Sequence, residues 1–350
     1  MARFKVGIIG CGRSGSGARK PGQGLSHNHA RGYESSEHAD IVAAADIVPE
    51  YADAYAKQHD VPRTYTDYRE MLDKEELDIV SIITWPHLHA EMTVAAAESG
   101  AKAVHCEKPM AVTYGDAKRM VDACQKQGCQ LTIGHQRRFR GAFRKARELV
   151  RNGAIGELTD IESRCPNLYD WGTHWFDISF FLNDEQPVES VMGQVDTRNA
   201  KQIFGAWVES QGLSHFTFEN GVTGMLITGS NCWERPSNTL RGTDGVIEVA
   251  GADGGNLRVL GPRTTGWQEI DVTGDDDAVP PFSAAIHDLI DALLNNRKPE
   301  LAGDNALRAT ELIFATYESS RRRARVDLPL DFDDNPLLDL LNETGEADEA

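Results

Sequence analysis

Near the start of the chain, Gly10-Cys-Gly12-Arg13-Ser14-Gly15 follows the alternating run Phe4, Val6, Ile8. This is a G-x-G-x-x-G spacing placed directly after a strand. The first glycine permits a tight turn, the second lets backbone approach a pyrophosphate, and the third allows close helix–strand packing. Arg13 and Ser14 belong to the same expected phosphate loop, with a helix N-terminus facing the anion. Asp46 closes the second strand. An acid there accepts from ribose hydroxyls and repels a 2′-phosphate. Ile47 and Val48 follow with no Arg to welcome a phosphate, so NAD is expected in preference to NADP. Two further loops follow strands, Thr84-Trp85-Pro86-His87-Leu88-His89 and Glu107-Lys108-Pro109. Ligands of open α/β sheets bind beyond the carboxyl ends of strands. Thr84, Trp85, Pro86 and His89 are therefore expected at the cofactor, as are Glu107, Lys108 and Gln136. A Lys at a strand end, fixed by a following Pro, is also positioned for proton chemistry.

The stretch 16–25 is too rich in Gly, and too broken by Pro21, to be helix. It reads as an insertion between the phosphate loop and a helix capped by Ser26. It also explains why Asp46 lies further from the glycines than the usual roughly 20 residues. Arg19 and Lys20 either fold back onto the phosphates or lie in a solvated loop; the sequence favours neither. His27, His29, His87 and His89 have no matching cluster of Cys, His or acids nearby, so structural or cofactor-contact roles are expected and no metal. The six Cys are scattered without a Cys-x-x-Cys pair, which reads as reduced thiols in a cytoplasmic protein.

These loops need a sheet to hold them. Short β-branched runs at 4–9, 41–45, 77–83, 103–106 and 131–133 alternate with helical patterns at 50–59, 68–73, 88–99 and 116–127. That alternation predicts a parallel sheet covered on both faces. After residue 133 the pattern changes. Helical stretches at 137–152 and 174–182 surround a strand at 158–164, and strands follow at 188–196, 213–218, 222–229, 238–242, 246–250 and 257–260. Asn220-Gly221 reads as a hairpin turn, and the short connections imply a mostly antiparallel sheet. Two closing helices are expected to be capped by Ser283 and Asp304, the first with Ile286, Leu289, Ile290, Leu293 and Leu294 on one face. The expected organisation is an α/β Rossmann domain over 1–133, an α+β substrate and oligomerisation domain over 134–330, and an acidic, disordered tail over 331–350.

Taken in order, Gly10-x-Gly12, Thr84-x-Pro86-x-x-His89, Glu107-Lys108-Pro109, Gln136-Arg-Arg-Phe139 and Gly172-x-His174-x-x-Asp177 resemble the Gfo/Idh/MocA oxidoreductases, the family of glucose–fructose oxidoreductase and inositol dehydrogenase. The resemblance runs from Phe4 to about Leu330. It implies a Rossmann domain followed by an α+β domain with a large open sheet. It also implies that Lys108 sits by the nicotinamide and substrate, and that Asp170 and His174 form the substrate-side catalytic pair. The insertion and a short segment before Asp170 depart from the family, and the latter shapes the substrate pocket. The chemistry of the residues agrees. Asp170 and His174, four apart at a helix start, share one face. A carboxylate there raises the imidazole pKa and fixes its tautomer. Oxidising an alcohol needs a base for the hydroxyl proton and a nicotinamide for the hydride. His174 can be that base, with Lys108 orienting the hydroxyl. Tyr169, Trp171 and Trp233 are candidates for a sugar-facing wall, with Arg138 nearby as a substrate contact.

Lys and Arg total 36 against 54 Asp and Glu, a net charge of −18. That balance argues against nucleic acid and anionic membranes as partners. Eight of the acids lie in the last twenty residues. The function expected is transfer of a hydride between NAD and a secondary alcohol or ketone of a sugar, inositol or related polyol, by a homo-oligomer. Two alternatives stand beside it: a hydrolase or lyase using tightly held NAD for transient oxidation, and a non-catalytic dinucleotide-binding regulator.

Overall fold

The structure, a computed structural model, describes residues 3–12, 24–230, 232, 237–251, 255–272, 276 and 278–344. The amino-terminal elements are β1 (Phe4–Ile9), α1 (Leu25–Glu34), β2 (Ala39–Ala45), α2 (Pro49–Gln58), β3 (Arg63–Tyr65), α3 (Tyr68–Lys74), β4 (Ile79–Ile82), α4 (Pro86–Glu98), β5 (Ala103–Cys106), α5 (Tyr114–Gln127) and β6 (Gln130–Ile133). All six strands pair in parallel, in the order β3-β2-β1-β4-β5-β6. The order reverses at β1, so the carboxyl ends of β1 and β4 flank the switch point where such sheets take ligands. β4 and β5 are buried along their whole length, as strands covered on both faces must be. β3 has no apolar signal in its Arg-Thr-Tyr sequence and is held by its pairing with β2.

The second set begins with a 3-10 turn (Gln136–Phe139), then α6 (Gly141–Arg151), β7 (Leu158–Cys165), α7 (Gly172–Leu182), β8 (Val188–Asp196), β9 (Lys201–Ile203), β10 (Ala206–Val208), β11 (Gln211–Phe218), β12 (Thr223–Thr228), β13 (Asn238–Gly242), β14 (Val246–Ala250), β15 (Asn256–Leu260) and β16 (Gln268–Ile270). Then come α8 (Pro281–Asn295), α9 (Gly303–Arg322), β17 (Val326–Asp327) and α10 (Pro336–Thr344). Among the described residues nine strands form one sheet, ordered β16-β15-β14-β13-β7-β12-β11-β8-β17. Every neighbouring pair in it is antiparallel except β7 with β12. In the β11–β12 turn only Gly221 takes positive φ, and Asn220 Oδ1 accepts the Val222 N–H. One face of the sheet is covered: α7 is buried at all eleven positions and contacts β7 and β12. On the other face Met192 and Leu213 are exposed.

The boundaries differ from the expected ones in two places. The compact amino-terminal unit comprises 1–112, 116–136 and 280–307, so the chain returns to it after building the second sheet. The returning helix is α8. Its Ile286, Leu289 and Ile290 share a buried cluster with Val6, Ile8 and Tyr33. Gly32 on α1 makes room for this, because a Cβ there would lie 2.8 Å from Ile286. Pro280, with Pro281 opening the helix, stands at the N-cap in place of Ser283. The second difference is the acidic end, expected to be disordered. Residues 336–344 form α10, in which Leu337 and Leu341 are fully buried and which packs beside β10. Two leucines four apart on one helical face anchor the segment despite the surrounding acids.

Candidate active site

The expected cofactor residues of the amino-terminal unit stand beyond the carboxyl ends of its strands. Gly10 and Gly12 follow β1, Asp46 and Ile47 follow β2, and Thr84, Trp85 and Pro86 follow β4. Glu107 and Lys108 follow β5, and Gln136 comes shortly after β6. Gly10 has φ +94, and a Cβ there would meet the Ile83 carbonyl oxygen at 2.4 Å, so no other residue fits. A Cβ on Gly12 would lie 2.6 Å from the Tyr51 ring and 3.2 Å from Asp46 Oδ2. The Asp46 carboxylate builds this loop: Oδ2 accepts the N–H groups of Cys11 and Gly12, each at 2.8 Å, and Oδ1 accepts that of Val48 at 2.9 Å. An ionised carboxylate has about four acceptor sites, so capacity remains for a ribose hydroxyl. Ile47 and Trp85 stand exposed beside the loop. Arg13, Ser14, Gly15 and the stretch 16–23 lie outside the described residues, as does Trp233. α1 begins at Leu25 with Gly24 preceding it, one residue before the expected cap Ser26.

His89 does not face the loop opening. It is fully buried, with Nδ1 2.9 Å from the Pro109 carbonyl and Nε2 3.2 Å from the Thr84 carbonyl. Burial lowers its pKa against the two carbonyls, which raise it. The ring ties the loop after β4 to the Glu-Lys-Pro turn, so it shapes the site instead of touching a cofactor.

In the second unit Asp170 lies in the turn before α7, not within its first turn, and His174 is the third helical residue. Both side chains are buried. Asn167 organises the turn: its Oδ1 accepts from Asp170 N–H (2.7 Å) and Trp171 N–H (3.1 Å), and its carbonyl accepts from Gly172 N–H (2.8 Å). The Arg137 guanidinium stands 5.3 Å from the Trp171 ring and 4.5 Å from Trp175, a cation–π arrangement. Tyr169 is buried, and burial drives its hydroxyl pKa upward; it is a core ring and not an open wall. Arg138 is likewise no open substrate contact. It is 1% exposed, its Nε and Nη2 grip the Asp177 carboxylate at 2.8 Å each, and Nη1 reaches Glu185 at 2.6 Å. A guanidinium held in this fork is a structural cation.

Four more residues shape these loops, of which only His29 stood out in the sequence, and without its partner. Tyr51 covers Gly12, Asn167 organises the Asp170 turn, His29 meets Glu107, and Glu209 holds the β7–α7 connection. Glu209 is buried and accepts from Leu168 N–H (2.6 Å), Thr228 (3.1 Å) and Tyr317 (2.8 Å), while burial raises its carboxyl pKa. Tyr51, His29 and Glu209 act across elements distant in sequence, so spacing carries no signal for their partners, whereas Asn167 accepts from main-chain groups only three and four residues ahead of it. Among the described residues no helix is long and apolar enough to cross a membrane.

Comparison with known proteins bears on this arrangement. Residues 4–135 match the family model described as the Gfo/Idh/MocA oxidoreductase family, NAD-binding Rossmann fold, and 147–328 match its C-terminal alpha/beta domain. The chain is similar to a D-apiose dehydrogenase of Paraburkholderia graminis, 28% identical with 94% of this chain and 90% of the relative covered. It is also similar to a D-xylose 1-dehydrogenase [NADP(+)] of Haloarcula marismortui, 27% identical with 83% and 84% covered. Among solved structures, an oxidoreductase domain protein from Kribbella flavida superposes with a TM-score of 0.80 at 22% identity, covering 94% of this chain and 100% of that one.

Proposed function

Because the chain belongs to the Gfo/Idh/MocA oxidoreductase family, whose amino-terminal domain is an NAD-binding Rossmann fold, we propose that it interconverts a secondary alcohol and ketone of a sugar, inositol or related polyol, with NAD as the preferred dinucleotide. The observation that carries this reading is the gathering of Gly10, Gly12, Asp46, Thr84–Pro86 and Lys108 beyond the carboxyl ends of neighbouring parallel strands. The residues fit the dinucleotide: Gly10 and Gly12 add no Cβ to the loop, a carboxylate stands beside it, and Ile47 and Trp85 offer apolar surface. When bound, the nicotinamide supplies the hydride acceptor or donor. The Gly10–Gly12 backbone and Asp46 hold the dinucleotide. Lys108 orients the substrate hydroxyl and balances negative charge on its oxygen. The His174 imidazole takes the hydroxyl proton, and Asp170 favours the charged form of that ring. Trp171 presents an aromatic face to the substrate. A panel of sugars, inositols and glycosides assayed for nicotinamide reduction tests the reading. Glycoside cleavage without net reduction would replace it by transient oxidation.

Asp46 sets the dinucleotide preference. NAD is expected to bind more tightly than NADP. Asp46→Ala is expected to weaken both, since two loop N–H groups lose their acceptor, while narrowing the ratio between them. The two dissociation constants measured on both proteins check this, and tighter NADP binding by the unaltered chain would reverse the assignment.

The protein works as a homo-oligomer through the open sheet face, where Met192 and Leu213 stand exposed with half-buried Met225 and Ile227 on the neighbouring strand. Light scattering is expected to give a multiple of the chain mass, and Leu213→Arg with Met192→Asp a lower one; an unaltered chain running as a monomer would remove the proposal. Its six buried, unbridged thiols support a reducing, cytoplasmic setting, which cell fractionation checks.

A further inference from the structure

Beneath the Glu-Lys-Pro turn lies a buried polar chain that the chemistry above does not use. His29 on α1 is completely buried, and its Nε2–H donates to Glu107 Oε1 at 2.9 Å. Glu107 is 3% exposed, and its other oxygen, Oε2, accepts the backbone N–H of Lys108 at 3.2 Å. The second ring nitrogen of His29 lies 3.3 Å from Ser81 Oγ on β4, and that hydroxyl is 2.8 Å from the Tyr33 hydroxyl, again on α1. The His105 ring packs 4.7 Å from the His29 ring and bonds Thr132 at 2.8 Å. Gly134 closes the far side, for a Cβ there would stand 3.0 Å from Glu107 Oε2.

We infer that His29 and Glu107 are a positioning pair for Lys108, locking the Glu-Lys-Pro turn to the helix that follows the glycine loop. The inference rests on the reading of Lys108 given above. A buried carboxylate is costly unless its oxygens are paired. Burial alone would raise the Glu107 carboxyl, but the His29 hydrogen bond and charge, with His105 and Lys108, outweigh it and hold the group below its ordinary value. The carboxylate therefore stays ionised, with one oxygen anchored by α1 and the other holding the main chain of Lys108. A side chain acting on substrate must be held within about 0.5 Å of its working place. An apolar residue at position 29 would fill the space and leave Oε1 without its donor. Neither member of the pair reaches substrate; each acts through Lys108.

The test compares His29→Ala, His29→Gln and Ser81→Ala in the full chain. Gln carries an N–H where His Nε2 stands, so it can restore the donor. Three quantities are read: NADH affinity by fluorescence, amide exchange at Lys108, and turnover with NAD and D-xylose or myo-inositol as alcohol probes. His29→Ala is expected to lower kcat by roughly 10- to 100-fold, the range for removing a group that orients a functional one. KM and NADH affinity are expected to stay nearly constant. Lys108 amide exchange is expected to rise about fivefold, the equivalent of one hydrogen bond. His29→Gln is expected to recover both, and Ser81→Ala to show a smaller change in the same direction. Unchanged Lys108 exchange in His29→Ala, or a loss that His29→Gln does not recover, would reduce the pair to core packing and overturn the proposal. If the unaltered protein binds NADH but turns over no alcohol, the activity reading fails. Exchange at Lys108 and its recovery in His29→Gln then still decide the pair.

Discussion

Lys108→Ala and His174→Ala are each expected to cut turnover by about 10²- to 10⁴-fold, the usual contribution of a general acid–base group, with dinucleotide affinity little changed. Lys108 lies just beyond β5, while His174 stands in the first turn of α7. If both serve one reacting centre, the double variant should be scarcely worse than the poorer single, because groups acting as a unit lose activity non-additively. Asp170→Asn is expected to lower activity less. If Asp170 acts on His174 as proposed, the acidic limb of the pH profile should move to lower pH, since an imidazole that loses a neighbouring carboxylate is less readily protonated. Single-turnover rates across pH for the four variants settle the matter. Near-normal rates in His174→Ala would place the base elsewhere and leave Lys108 as the leading group.

The second large effect is on stability against acid. Burial, then the charge of His29, pushes His105 down to about 3, and burial, then His59 and Arg31, pushes His27 down to about 4, against an ordinary value of 6.5. Both are bases with lowered folded-state pKa values, so between pH 6.5 and about 4 the unfolded chain binds protons that the folded chain refuses. Stability must therefore fall as pH drops through that window. From pH 7 to pH 5 each histidine removes about 2 kcal/mol, so the pair removes about 4 kcal/mol. That is a large share of the ~5–15 kcal/mol typical of a folded chain. Denaturant unfolding at the two pH values measures it. His105→Asn, which keeps a donor for Thr132 but cannot ionise, is expected to shrink the difference by about half. Equal midpoints at pH 7 and pH 5 in the unaltered protein would contradict the assignment of both rings.

The parallel sheet was legible because most of its strands are apolar runs closed by a glycine or an acid, and the same punctuation marked Gly10, Asp46 and Lys108. β3 was not, since Arg-Thr-Tyr owes its conformation to pairing with β2. The tail misled through composition: its acids outnumber Leu337 and Leu341, yet those two set its conformation by being buried. Arg138 carried the right chemistry for a ligand and is engaged with Asp177 and Glu185, partners that nothing in local sequence announces, while Tyr169 is buried in the core. His29 stood out as a structural or cofactor-contact histidine, but its pairing with Glu107, 78 positions away, did not. Long-range polar pairs leave no period and no spacing, so they emerge only once the chain is folded.

The return of α8 has a consequence for how the protein is made. A chain leaves the ribosome amino-terminus first, at about 5–20 residues per second. The strands of the first sheet are all out by residue 133, but the helix that covers Val6, Ile8 and Tyr33 is not complete until Asn295. For roughly ten to thirty seconds at that rate, the nascent amino-terminal half carries an uncovered apolar face. That face is a ready target for chaperones, and the half cannot finish folding ahead of the part that follows it. Cutting the gene after residue 136 would make that interval permanent.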